Sequence, residues 1–254
     1  MTARIDNDDT TRAIGPSRAL VLDAARHARS VPSFPVERRV QLGDVARVRS
    51  ETAARVSWTA VFARAYGLAS RQYPQLRQIY VAWPWPRIYQ DSRCVISVAV
   101  NRQFGDTERL YFGRIFDPDS RPVDSIQLDL DRFQCADPEV EFGVQSRGAR
   151  LPWPVRRLLW WWRMEVEYKK RVRLSGSGAI STLAGHGVTN RLHPCVNTTS
   201  LSFGPIESDG QSLVTLQCDH RVIDGVVGAR ALNELCDTLR TRVADELASL
   251  GRSP

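Results

Sequence analysis

Ser212-Leu213-Val214-Thr215-Leu216-Gln217 alternates apolar and polar side chains and runs straight into Cys218-Asp219-His220-Arg221-Val222-Ile223-Asp224-Gly225. The two-residue period predicts a strand with one face buried. Beyond Gly225, the residues Val226, Val227, Ala231, Leu232, Leu235 and Leu239 recur at three- and four-residue steps, which is helical spacing. His220 therefore falls on a strand-to-helix turn. Gly225 suits a turn that needs unusual dihedrals, and Asp224 is a residue type favoured at such boundaries.

An imidazole held on a rigid turn suits proton transfer. Its unperturbed pKa of about 6.5 leaves it mostly neutral at pH 7, able to take a proton from a hydroxyl or thiol. His220 is thus a candidate general base. For Asp224 two roles are open: orienting the ring directly, or pairing with an arginine to fix the turn, which tight geometry favours. Cys218 shares a strand face with His220 only if the strand stays regular that far. A Cys-His nucleophile pair is then a second arrangement, and a satisfied surface pair is the bland one.

Working outward, 254 residues with 43% apolar and 25% charged side chains are enough for one large domain with a sizeable core. No apolar run reaches the roughly 18 residues of a membrane span, and Met1 to Thr11 is polar and acidic, unlike a signal peptide. A cytoplasmic protein is expected. Cys94, Cys135, Cys195, Cys218 and Cys236 are widely spaced and form no Cys-x-x-Cys pair, which argues for reduced thiols and no metal. His186 and His193 read as loop residues.

Residues 1–16 read as a disordered tail and 17–254 as a single domain. Ser17 is the expected cap of a first helix running to about Arg29. Val36 to Leu42 reads as a strand, Ser57 to Tyr73 as the strongest helix, and Cys94 to Val100 and Leu110 to Phe116 as strands. Ser125 to Phe133 is a helix or extended arm, and 134–150 shows no clear pattern. Glu207 to Gly210 is a tight hairpin.

Asp219-His220-Arg221-Val222-Ile223-Asp224-Gly225, followed by Val226-Val227-Gly228-Ala229, resembles the active-site signature of the dihydrolipoamide acyltransferases of 2-oxo acid dehydrogenase complexes. Chloramphenicol acetyltransferase shares their fold and a looser His-x-x-x-Asp-Gly. The first helix, Val31-Pro32-Ser33-Phe34 and Leu42-x-x-Val45-x-x-x-Arg49 are similar to the start of the same domain, as is Val95-Ile96-Ser97-Val98-Ala99-Val100 to an internal strand. Leu174 to Gly187 is similar to the family strand whose hydroxyl steadies the oxyanion of a tetrahedral intermediate. The matching position is Ser181, with Thr182 its substitute one residue on. Gly178-Ala179 stands where the family has bulkier residues, which would enlarge a pocket.

The resemblance implies an α/β (α+β) two-layer sandwich, a mixed sheet covered by helices on one face, assembled as a homotrimer with the site between subunits. It implies acyl transfer from acyl-CoA to an unknown hydroxyl, thiol or amine acceptor. His220, Asp224 and Ser181 would be catalytic, with Thr182, Gly225 and Arg29 on the substrate side. Arg26 or Arg29 is the expected partner of Asp224. No lipoyl-bearing module precedes the domain, so a freestanding member with coenzyme A as its substrate and no lipoyl group of its own is expected. A catalytically silent scaffold on the same fold is the alternative.

Residues 151–173 are the least ordinary stretch, with Trp160-Trp161-Trp162 among seven Lys or Arg against Glu165 and Glu167. The local charge excess fits an anionic partner better than a nucleic-acid face. On a helix, Val155, Leu158, Leu159, Trp162 and Val166 form one stripe, expected to dock with arginine heads outward. A membrane surface or an acidic carrier protein is the other reading, and would make the protein peripheral to the membrane.

Overall fold

In the computed structural model, which describes residues 11, 14–104 and 107–251, the alternating run before His220 is one strand of a six-stranded mixed sheet. The strands are β1 (Ser33–Gln41), β4 (Val95–Phe104), β5 (Thr107–Phe116), β6 (Gly178–Ile180), β7 (Thr199–Phe203) and β8 (Gln211–Asp219), in the order β1-β8-β7-β6-β4-β5. β6 is parallel to both β4 and β7, and the other pairings are antiparallel. A separate hairpin joins β2 (Gln78–Val81) to β3 (Arg87–Gln90).

Strand alternation decides which face the helices cover. Val214, Leu216 and Cys218 of β8, Leu201 and Phe203 of β7, and Ile96 and Val98 of β4 are buried together in the main core. Against them lies α3 (Trp58–Gln72), begun as the sequence indicates by Ser57, whose hydroxyl accepts the Ala60 amide at 3.3 Å. Its alanines let it approach closely, and Phe62 stacks on Phe203 with centroids 4.0 Å apart. Truncating a phenyl ring buried like that of Phe62 typically costs about 3–5 kcal/mol. The same core holds α2 (Gly43–Glu51), α4 (Val123–Cys135), α9 (Gly225–Thr238) and α10 (Ala244–Ser249). The two-layer α/β sandwich is therefore as expected. On the opposite face, Ile79, Val81, Val95 and Val172 make a smaller cluster that seats the hairpin and α8 (Tyr168–Ser175).

Several local expectations need correction. The first helix, α1 (Pro16–Ala28), starts at Pro16 with Gly15 as its N-cap, because proline's fixed φ suits a first helical position. Most of the expected tail lies outside the described residues. Residues 134–150 fold mainly as α5 (Pro138–Glu141) and α6 (Gly143–Ala149), too short to show a period.

In α7 (Trp153–Trp161) the expected orientation is reversed. No residue of it is buried, and Val155, Leu158, Leu159 and Trp162 face solvent. Arg156 turns inward instead, to the buried carboxylate of Asp23. After a π turn at Trp162–Val166, Arg171 of α8 is buried, donating to the carbonyls of Tyr80 at 3.0 Å, Met164 at 3.4 Å and Val196 at 3.0 Å. Burial pushes its pKa down to about 10.

Candidate active site

β8 ends at Asp219 and α9 begins at Gly225, so the intervening turn holds His220 at the sheet's rim. The His220 amide donates to the Pro32 carbonyl at 2.9 Å, which anchors the turn to the start of β1. Phe34 backs the ring, centroid to centroid 4.9 Å. Nδ1 stands 3.5 Å from Oδ1 of Asp224, and the two side chains are 58% and 83% exposed. A carboxylate on that side favours the tautomer with the proton on Nδ1, which leaves Nε2 as the basic nitrogen.

The arginine that holds the turn is Arg221, in place of the expected Arg26 or Arg29, and its carboxylate is Asp219. Arg221 Nε and Nη2 donate to Asp219 at 2.9 and 2.7 Å, and its amide adds a third bond at 3.0 Å. Asp219 is 4% exposed, and the guanidinium lies 4.3 Å from the Tyr80 ring centroid. Asp224 bonds neither Arg26 nor Arg29, both exposed on or just beyond α1. Asp224 has an extended backbone as the N-cap of α9, and a tight turn can be braced from its first residue as well as from its last. Sequence reading missed Asp219 and Phe34. The Asp-x-Arg spacing within a turn was the available signal.

Cys218 does not join the histidine. It faces the helix layer, where a Cβ on Gly228 would stand 3.3 Å from its sulfur, and burial pushes its thiol up to about 12. Gly225 does not have the left-handed backbone that the sequence suggested. It opens α9, and a Cβ there would meet nothing within 4 Å, so this side of the turn is open space.

Ser181 follows β6, and its hydroxyl has no partner among the described residues, while its amide donates to Leu201. Thr182 is committed locally, donating to the Phe203 carbonyl at 2.7 Å and accepting from Ala184 at 3.1 Å. The space beside Gly178 is filled, because a Cβ there would stand 2.3 Å from the Tyr66 hydroxyl. Gly178 therefore makes room for Tyr66, not for a substrate.

Register separates Ser181 from His220. Ile180 pairs with Leu201 and Leu201 with Leu216, so Ser181 is level with Thr215, five residues before the histidine. At about 3.3 Å per residue that is roughly 16 Å along the strands. Two surface cavities, of about 310 and 70 Å³, include neither residue. Among the described residues no group of three His, Cys, Asp or Glu converges as a metal site.

This architecture is the fold of dihydrolipoamide acetyltransferase catalytic cores of 2-oxo acid dehydrogenase complexes. A probable dihydrolipoamide acetyltransferase from Listeria monocytogenes superposes with a TM-score of 0.65 at 16% identity, covering 92% of this chain and 95% of that one. The truncated catalytic core of the 2-oxoacid dehydrogenase complex from Thermoplasma acidophilum gives 0.65 at 20% identity, covering 92% and 99%. The Azotobacter vinelandii dihydrolipoamide acetyltransferase gives 0.63 at 15%, covering 95% and 96%. Compared by sequence, the chain matches no protein-family model and no curated protein. At such identities the likeness is one of fold.

Proposed function

We propose that the protein is an acyltransferase that moves an acyl group from acyl-CoA to a hydroxyl, thiol or amine acceptor, with His220 as general base. The observation that carries this reading is the half-exposed imidazole, backed by Phe34, with a carboxylate on its Nδ1 side, on this fold. The Azotobacter enzyme has been investigated for the catalytic roles of a serine, a histidine and an asparagine four residues beyond it, the spacing of His220 and Asp224.

In the reaction, Nε2 takes the acceptor's proton as its heteroatom attacks the thioester carbonyl. The tetrahedral intermediate's oxyanion accepts a hydrogen bond from the unengaged Ser181 hydroxyl, a type of donor whose loss costs about 3 kcal/mol in the barrier. Collapse breaks the C–S bond, and the imidazolium returns the proton to the CoA thiolate. Because one chain holds His220 and Ser181 far apart, the serine comes from a second copy, which supports assembly as a homotrimer with the site at the subunit boundary. In this reading Arg29, exposed three residues before the Pro32 that the His220 amide bonds, receives a CoA phosphate.

Release of free CoA thiol from a panel of acyl-CoAs, with and without acceptors, tests the reading. His220→Ala should lower turnover by about 10²–10⁴-fold. Equal behaviour of wild type and variant across the panel would instead support a non-catalytic scaffold.

A further inference from the structure

α7 carries its polarity inside out. At about 100° per residue, Pro154, Val155, Leu158, Leu159, Trp161 and Trp162 cover roughly 160° of the helix, all on the solvent side. Leu158 is 63% exposed and Trp162 47%. Arg156, the charged residue that helical amphipathicity would send to water, is held inside by Asp23. A second element extends the surface. The hairpin turn between β2 and β3 brings Trp83 edge-on to Trp161, centroids 5.8 Å apart, and leaves Trp85 67% exposed. Glu165 fixes that turn by accepting the amides of Ala82 and Trp83 at 2.8 and 3.2 Å.

The charges around this surface are of one sign. Arg157 and Arg163 flank the apolar arc on either side, exposed and without an acidic partner among the described residues. Exposed Lys169 and Arg173 follow on α8. Of the two acids in the segment, Glu165 is occupied by the hairpin and Glu167 by Lys170. A symmetric contact with a second copy would bring the arginines toward one another, and like charges would oppose it. An anionic bilayer satisfies both features: tryptophan rings settle at the headgroup level, the leucines reach the acyl boundary, and the guanidinium groups meet lipid phosphates.

We propose that α7 and the β2–β3 turn form a docking surface for the interface of membranes rich in acidic phospholipid. The surface adjoins the candidate active site, since Tyr80 of β2 lies under Arg221, the neighbour of His220. Docking itself does not depend on the acyltransferase reading.

Vesicle co-sedimentation of the full chain tests this, using phosphatidylcholine alone or mixed with phosphatidylglycerol, with tryptophan emission recorded. Wild type should sediment with the mixed vesicles and shift its emission to shorter wavelength. Arg157→Glu with Arg163→Glu should weaken partitioning by at least about tenfold, given about fivefold per cation near an anionic surface. Leu158→Glu with Trp162→Ser should abolish it, whereas Leu128→Ser, an exposed leucine on α4, should change nothing. Unchanged near-ultraviolet circular dichroism guards against misfolding. Absence of wild-type binding to mixed vesicles, or binding retained by Leu158→Glu with Trp162→Ser, would overturn the proposal. Loss of oligomerisation in that variant, with no vesicle binding by wild type, would assign the surface to contacts between copies.

Discussion

Asp23 and Arg156 form a largely buried ion pair between α1 and α7, with Nε 2.5 Å from Oδ2. Removing one member of such a pair strands the other charge, at a cost of about 3–5 kcal/mol. Asp23→Ala should therefore lower stability by about 3 kcal/mol in urea melts. The double replacement Asp23→Leu with Arg156→Met should recover most of it, since an apolar pair of similar size needs no desolvation of charge.

The two aspartates of the turn should separate cleanly. Asp219 is buried and fixes Arg221, so Asp219→Ala is expected to destabilise the protein by about 2–3 kcal/mol and to disorder the His220 turn. Asp224 caps α9 without a side-chain hydrogen bond and stands in solvent. Asp224→Ala should leave thermal melting unchanged and reduce turnover by no more than about tenfold, through tautomer preference alone. Thermal melts and CoA-release rates on both variants check this. Equal stability losses would contradict it.

Acid sensitivity should trace to His27. Burial, reinforced by the charge of Arg171 and partly offset by Glu165, pushes its pKa down from 6.5 to about 4. The unfolded chain then binds the proton more readily than the native one between those values, so stability falls as pH drops from 6.5 toward 4 and is flat above. The contribution reaches up to about 3 kcal/mol. Urea midpoints of His27→Phe and wild type across that window should diverge on the acidic side.

Gly178→Ala tests the packing behind β6. The added methyl would displace the Tyr66 hydroxyl, which bonds Thr199 at 2.6 Å and the Leu76 carbonyl at 3.0 Å. A loss of about 2–3 kcal/mol is expected from overpacking and the broken bonds. Restoration of stability by adding Tyr66→Phe, which vacates the hydroxyl's position, would confirm the cause in thermal melts.

The elements around His220 were legible because each follows a local rule: alternation for β8, helical spacing for α9, and a capping serine for α3. What escaped depends on residues distant in the chain. Arg156 turns inward only because Asp23, 133 positions away, awaits it, so a stripe that looked like a docking face became the exposed one. Gly178 looked like spare room because Tyr66 comes from α3. The split between Ser181 and His220 depends on strand register, which composition and period do not fix. Asp224 has Arg26 or Arg29 as its expected partner, yet the arginine that fixes the turn is Arg221, held by Asp219 two residues before it.

The guanidinium of Arg171 fastens three stretches that share no sequence continuity, through the carbonyls of Tyr80, Met164 and Val196. Backbone oxygens joined to one cation open together or stay closed together. Amide exchange at the hairpin base, the π turn and the segment before β7 should therefore share a single opening free energy. The region beside the histidine turn then behaves as one cooperative unit, loosened by one event and not strand by strand.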